Sequence, residues 1–241
     1  MQLATCTWAE VESYLGHSTG IVLPIGSTEQ HGPNGLIGTD AICADAIARG
    51  IGDATGGLVA PVLPVGMAQH HMGFPGTMTL RPSTLLSVFR DCITSLAQHG
   101  FRRFYFVNGH GGNIPVVQSA IAEVYGESGD RGLLCELRNW WLRPPVVALA
   151  RELYGEHEGI HATASEVSLT QHVFPDYIKR VDMEPAPPAA MFFGDGAAFR
   201  RRFPDGRMGS HPGLSRPEHG KRFLDAVVAD LAKDYEAFAA S

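Results

Sequence analysis

Three side chains near the start of the chain have the types and spacing of a metal or acid–base site. Glu29 and His31 stand two residues apart in Leu23-Pro24-Ile25-Gly26-Ser27-Thr28-Glu29-Gln30-His31-Gly32-Pro33. Alternate residues of an extended segment point the same way, so the carboxylate and the imidazole can converge on one space. Asp40 follows a loop containing Gly32, Pro33, Gly35 and Gly38, where glycine lets the chain fold back tightly enough to return a third ligand. Carboxylate oxygens combined with imidazole nitrogens suit zinc, manganese or iron(II) better than calcium or magnesium. Each residue also has an ordinary role: Glu-x-His arises by chance, and an aspartate at a helix start is usually an N-cap. A second cluster, Asn108-Gly109-His110-Gly111-Gly112-Asn113, sets His110 among glycines that permit close backbone approach and offer little steric cover. Amides at such a turn can also cradle an anion, but the lysine and spacing of a P-loop are missing.

Strands alternating with helices must position these residues. Ile21 to Gly26 is a short apolar run of the kind buried on both faces. A helix is expected from Asp40 to Ile51, with Thr39-Asp40 as its N-cap region. Leu58 to Gly66 reads as a second strand, made edge-like or irregular by Pro61 and Pro64. Arg81-Pro82-Ser83 opens a helix to about Gln98, with Gly100 just past its end. Arg103 to Gly109 is the third strand, Asn113 to Tyr125 a helix, Gly132 to Trp141 the fourth strand, and Glu218 to Ala239 a closing amphipathic helix. This alternation implies parallel pairing with right-handed crossovers, hence a three-layer α/β/α sandwich with a mostly parallel sheet, in one domain over residues 1–241. In such sheets ligands bind at the carboxyl ends of the strands, where both clusters lie. The proline- and glycine-rich stretch 184–213 breaks the rhythm and reads as a long loop or excursion over the site.

Composition narrows the classes. Hydrophobic residues make up 44% of the chain, charged residues 18%, and the formal net charge is −6 with no basic run, which disfavours nucleic acid and anionic membranes as partners. Arg200, Arg201 and Arg202 form the densest basic cluster and read as a solvated turn, with an acidic-substrate contact as the alternative. No stretch approaches the roughly 18 apolar residues of a membrane span, and no signal peptide is visible, so a cytoplasmic location is expected. Cys6, Cys43, Cys92 and Cys135 form no CxxC pair; Cys43, Cys92 and Cys135 read as small core residues in a reducing compartment. Trp140 and Trp141, just past the fourth strand, are candidates to wall a pocket, with core packing expected for one of them.

Gly26 to Pro33 followed by Gly38-Thr39-Asp40, together with Asn108 to Asn113, resembles the creatininase (creatinine amidohydrolase) family. A third segment, His161-Ala162-Thr163-Ala164-Ser165-Glu166-Val167-Ser168, partly matches the His-Ala-Gly-x-x-Glu-Thr-Ser of many relatives. The resemblance implies two divalent cations, zinc first, with manganese or iron(II) as alternatives. Positions matching Glu29, Asp40 and His110 would hold one, and those matching His31 and Asp40 the other, with Asp40 bridging. In creatininase itself a further glutamate lies two residues after the motif histidine; here that place is Gly112. Glu166 is therefore nominated as the fifth ligand and Glu158 as the fallback. A histidine common after the first motif's proline is replaced by Asn34. The resemblance further implies a water-attack hydrolase of C–N amide bonds in a small-molecule substrate, with His161 as general acid. One of His70 and His71 would border the pocket, with His70 nominated, and the chain would form a homo-oligomer, typically a hexamer. Relatives resemble deformylases, peptide-trimming enzymes or carbocycle-opening hydrolases. Readings of other classes are a catalytically silent ligand-binding protein and a nucleotide-binding domain using the Gly109–Gly112 turn.

Overall fold

The computed structural model describes residues 1–129, 132–190 and 194–241. Its frame is a four-stranded parallel sheet in the order β2-β1-β3-β4: β1 (Gly20–Ile25), β2 (Leu58–Val59), β3 (Arg103–Asn108) and β4 (Leu134–Asn139). β1 and β3 are the inner strands, and their pairing runs in register from Gly20–Arg103 to Ile25–Asn108. Both glycine-rich motifs therefore leave the sheet side by side, at the carboxyl ends of adjacent strands.

Alternation along the inner strands divides the core. Ile21, Leu23, Ile25, Phe104 and Phe106 face one apolar layer with α1 (Trp8–Leu15), α3 (Pro82–Gln98) and α4 (Ile114–Ser128). Val22, Tyr105 and Val107 face the other, with α2 (Thr39–Thr55), α5 (Pro144–Leu153), α6 (Ala164–Val173) and α8 (Pro217–Ala239). Because both sheet faces are covered, these strands read as continuous apolar runs. The result is the expected three-layer α/β/α arrangement.

Several elements differ from expectation. The run after Leu58 pairs for only two residues at the sheet edge, beyond which Leu63 makes an isolated bridge to Ile25; Pro61 and Pro64 withhold the donors a longer strand would need. The fourth strand begins at Leu134 and stops at Asn139, where Trp140–Leu142 turns into a 3-10 helix. Helices α1, α5 and α6 were not expected. α1 and α6 each open on a Thr-x-x-Glu capping box, Thr7/Glu10 and Thr163/Glu166, a short signal that hydrophobic periodicity over so few residues does not reinforce. The excursion 184–213, of which 191–193 lie outside the described residues, contains α7 (Gly196–Arg202). Phe199, Phe203 and Met208 give it a small apolar cluster of its own, and Phe199 packs edge-on against the His71 ring. Arg200 to Arg202 are exposed as expected, but Arg200 also donates to the Gly73 carbonyl and ties α7 down. Among the described residues no helix is long and apolar enough to cross a membrane.

Candidate metal centre

The loop after β1 delivers three buried polar side chains. Glu29 is fully buried, and its Oε2 accepts a hydrogen bond from Ser27 Oγ at 2.7 Å. His31 lies with Nδ1 3.1 Å from the Glu29 backbone carbonyl, which can only accept, so Nδ1 carries a hydrogen. Its Nε2 is then turned toward Asp40 Oδ1 at 3.0 Å. Asp40 sits in the first turn of α2, whose N-cap is Gly38. Its carboxylate does not cap the helix, so the ordinary explanation for an aspartate at this place is set aside.

The turn after β3 supplies the fourth. Asn108 Oδ1 accepts the His110 backbone N–H, and Asn108 Nδ2 donates to the His110 carbonyl, clamping the motif backbone. Asn113 Nδ2 donates to the Gly26 carbonyl, joining the two motifs. His110 Nε2 donates to the Met67 carbonyl at 2.9 Å, leaving Nδ1 3.3 Å from Glu29 Oε1 and 3.1 Å from Asp40 Oδ2. The flanking glycines do not leave this histidine open, since it is only 5% exposed. They let other groups close in: a Cβ on Gly109 would strike the Asp40 backbone carbonyl, and one on Gly112 would strike the His110 ring and the Met67 carbonyl. Position 112 therefore admits no side chain without displacing the histidine.

Glu29 Oε1 and Asp40 Oδ2 are buried without a well-formed hydrogen bond. A buried carboxylate oxygen without one is costly unless a cation meets it. Both lie beside His110 Nδ1, at 3.3 and 3.1 Å. Glu29, Asp40 and His110 thus form one potential ion-holding group, and His31, Asp40 and Glu166 form another that shares Asp40. Each histidine donates its second ring nitrogen to a backbone carbonyl, which fixes the orientation a ligating imidazole needs.

Helix α6 approaches from the other side. Glu166 is its capping-box glutamate; Oε1 accepts from the Thr163 backbone N–H, while Oε2 lies 3.8 Å from His31 Nε2. Glu158 is drawn away, accepting from the backbone N–H and the hydroxyl of Ser165. The His161 ring lies tilted 4.7 Å from that of His31, and its Nδ1 is 3.9 Å from Glu29 Oε1. The next residue, Ala162, is the non-glycine residue at positive φ (52°) among the described residues. A strained backbone position thus follows directly on His161.

Charge in the cluster is strongly perturbed. Burial alone would push His31 down, but the carboxylates of Asp40, Glu166 and Glu29 outweigh it and lift it to about 10. Burial likewise opposes charge on His110, yet Glu29 and Asp40 raise it to about 9. Asp40, despite burial, is held well below the usual carboxylate range by His31 and His110. Burial raises Glu166. Burial and neighbouring histidines push His71 and His161 well below their ordinary value, and His70 down to about 4. Without an ion, protons on His31 and His110 occupy the positions a divalent cation would take.

The sequence nominated His70 over His71. His70 is half-buried, its ring parallel to His110 at 6.3 Å, whereas His71 is buried with Nε2 3.1 Å from Glu29 Oε1. Trp140 is 1% exposed within the main core, and Trp141 packs partly buried against the same core. Trp140 thus serves core packing instead of lining a pocket. Cys43 is buried, while Cys92 and Cys135 are only partly so. Ser27 and Gln30 had no assigned role, and His71 only that of the alternative to His70 at the pocket border; their signal was position alone, inside or beside the motifs.

The family model described as creatinine amidohydrolase matches residues 4–235. Creatinine amidohydrolase of Pseudomonas putida is 30% identical over 244 residues, covering 94% of this chain and 92% of that protein. A solved structure titled "Creatininase Mn" superposes with a TM-score of 0.84 at 28% identity. A glutamate-to-glutamine creatininase variant of Zn-Zn type superposes at 0.83 and 29%. Each comparison covers 98% of both chains.

Proposed function

Because the chain belongs to the creatininase family, we propose that it is a metal-dependent hydrolase cutting a C–N amide bond, cyclic or linear, in a small molecule. The observation that carries this reading is the pair of candidate ligand groups sharing Asp40, with two buried carboxylate oxygens that make no well-formed hydrogen bond. Glu29, Asp40 and His110 would hold one divalent ion, and His31, Asp40 and Glu166 the second. Zinc or manganese suits the mixed imidazole and carboxylate donors. Bound there, such ions supply Lewis acidity toward a carbonyl and lower the pKa of water toward neutrality.

The protein's own part is positioning and proton transfer. Ser27 Oγ donates to Glu29 Oε2, and His71 Nε2 lies 3.1 Å from Oε1. His161, neutral and with Nδ1 facing the cluster, accepts the proton lost by the attacking water. The same nitrogen then delivers it to the departing amide nitrogen, so His161 acts as base before it acts as the expected acid. His70, half-buried and parallel to the His110 ring, would border the substrate. A homohexamer, as the resemblance implies, belongs to the same reading and is measured by sedimentation.

The test is removal and return of metal. Chelation should abolish turnover across a panel of creatinine, lactams, formamides and short peptides, and zinc or manganese should restore it. A His110→Ala variant should lose metal and activity together. If it retains both in full, the assignment fails.

A further inference from the structure

Gln30 stands between Glu29 and His31, and its side chain is a junction. Its Oε1 accepts from the Gly32 backbone N–H at 2.9 Å, and its Nε2 donates to the Gly206 carbonyl at 3.1 Å. A backbone N–H can only donate and a carbonyl can only accept, so these two partners settle which end of the amide is which. The same Nε2 lies 2.9 Å from His71 Nδ1 and 2.8 Å from His161 Nε2. It has two hydrogens for three neighbours.

The backbone of Gln30 resolves the competition. Its carbonyl lies 3.0 Å from His161 Nε2 and can only accept, so His161 Nε2 carries a hydrogen and donates there. The Gln30 amide hydrogens then go to Gly206 and to His71 Nδ1. His71 Nδ1 must be an acceptor, which puts the hydrogen of this neutral ring on Nε2, 3.1 Å from Glu29 Oε1. The His161 Nε2 hydrogen and both Gln30 amide hydrogens have acceptors in this arrangement. In the alternative, a bare His161 Nε2 faces a carbonyl lone pair. The junction is also sterically tight: Gly206 has φ +88°, and a Cβ there would overlap the Gln30 amide.

We propose that Gln30 is a positioning residue that sets the tautomers of two histidines at once. It obliges His71 to carry its hydrogen on Nε2, 3.1 Å from Glu29 Oε1, and it leaves His161 Nδ1 bare toward the cluster. Gln30 reaches neither Asp40 nor His110. It acts through the rings, and it links them to the segment carrying α7 through Gly206. The proposal rests on the reading of the cluster as a metal centre, because the orientation of Glu29 matters most when that carboxylate ligates.

Ring nitrogens report their hydrogens directly. Long-range proton–nitrogen correlation spectra of zinc-loaded protein labelled with 15N-histidine should show His71 and His161 both protonated at Nε2. Single His71→Gln and His161→Gln variants supply the assignments. Gln30→Glu offers only acceptors, so His71 should move its hydrogen to Nδ1. Zinc affinity, read by competition with a chelator, should weaken about 10–100-fold, as is usual for outer-shell changes. Gln30→Met, which removes both ends of the amide, guards against misfolding of the charged variant and should leave His71 with mixed tautomers. A His71 protonated at Nδ1 in the unaltered protein overturns the proposal. So does an unchanged ring pattern in both variants with only a lower melting temperature, which would make Gln30 a packing residue. Zinc uptake by the unaltered protein reports separately on the metal centre, and the His71 ring can be read in metal-free protein if none binds.

Discussion

The two ligand groups that share Asp40 are built differently. Glu29 and His110 come from the ends of adjacent inner strands, are at most 5% exposed, and are held by Ser27, Asn108 and the Met67 carbonyl. Glu166 arrives from α6, its side chain is 13% exposed, and one of its oxygens is already engaged in capping its own helix. The first group is therefore formed before any ion binds. The second asks a single carboxylate to cap a helix with Oε1 and ligate with Oε2. Preorganisation lowers the cost of binding, so the Glu29–Asp40–His110 group should hold zinc more tightly than its neighbour.

Asp40 is where that contrast should vanish. Asp40→Ala removes an oxygen from each group, so zinc measured by elemental analysis should fall to background, with turnover lost alongside. If one ion per chain survived, Asp40 would not be the shared ligand. Glu166→Gln should separate the groups, removing the weaker ion and turnover while the stronger ion stays. Glu158→Gln, altering a side chain committed to Ser165, should leave the zinc content unchanged. The reverse pattern would transfer the ligand role to Glu158.

The same contrast separates what could be read from the sequence from what could not. Glu29, His31, Asp40 and His110 were legible because two strand ends place short motifs in one space, and the alternation of Ile21, Val22 and Leu23 shows that the strand is covered on both faces. The α/β/α frame follows from the same runs. Residues brought in from farther along the chain were harder to read. Gln30 and His71 gain their roles from each other and from Gly206, contacts between distant segments that no local spacing encodes. Trp140 is aromatic and stands at a strand end, which suits a pocket wall and a core residue equally; only the packing of α5 against it decides for the core. The apolar cluster of α7 was hidden by the prolines and glycines around it.

A smaller effect concerns protons. In metal-free protein His31 is raised to about 10 and His110 to about 9 from 6.5. Their contribution to stability is complete below pH 6.5 and is lost as pH rises through 9 to 10. His70, lowered to about 4, and the depressed His71 and His161 act oppositely; their contribution is present above pH 6.5 and is lost as pH falls toward 4. Metal-free melting temperature should therefore peak near pH 6.5. Zinc must displace the two protons, so its affinity should rise by on the order of tenfold per pH unit for each proton released until pH reaches about 9. Calorimetry in buffers of different ionisation enthalpy counts those protons. Zinc binding without proton release would show that the two rings are neutral before it arrives.

The smallest expected change in stability tests the α6 side alone. Ala162 holds φ at +52° immediately after His161, a conformation that costs an alanine about 1–2 kcal/mol. Ala162→Gly removes that cost but adds freedom to the unfolded chain worth roughly 0.5–1 kcal/mol. The two effects largely offset, so the melting temperature should move by only a few degrees. Zinc content should not change, because neither ligand group includes this residue. Turnover is different: a glycine no longer restricts the backbone that aims His161, so Nδ1 spends less time facing Glu29 and kcat should fall several-fold with KM little altered. If kcat is unchanged, the bend at Ala162 is a property of the turn and has no part in aiming the proton carrier. If zinc content falls as well, the α6 side is coupled to the strand-end ligands more tightly than their separate construction implies.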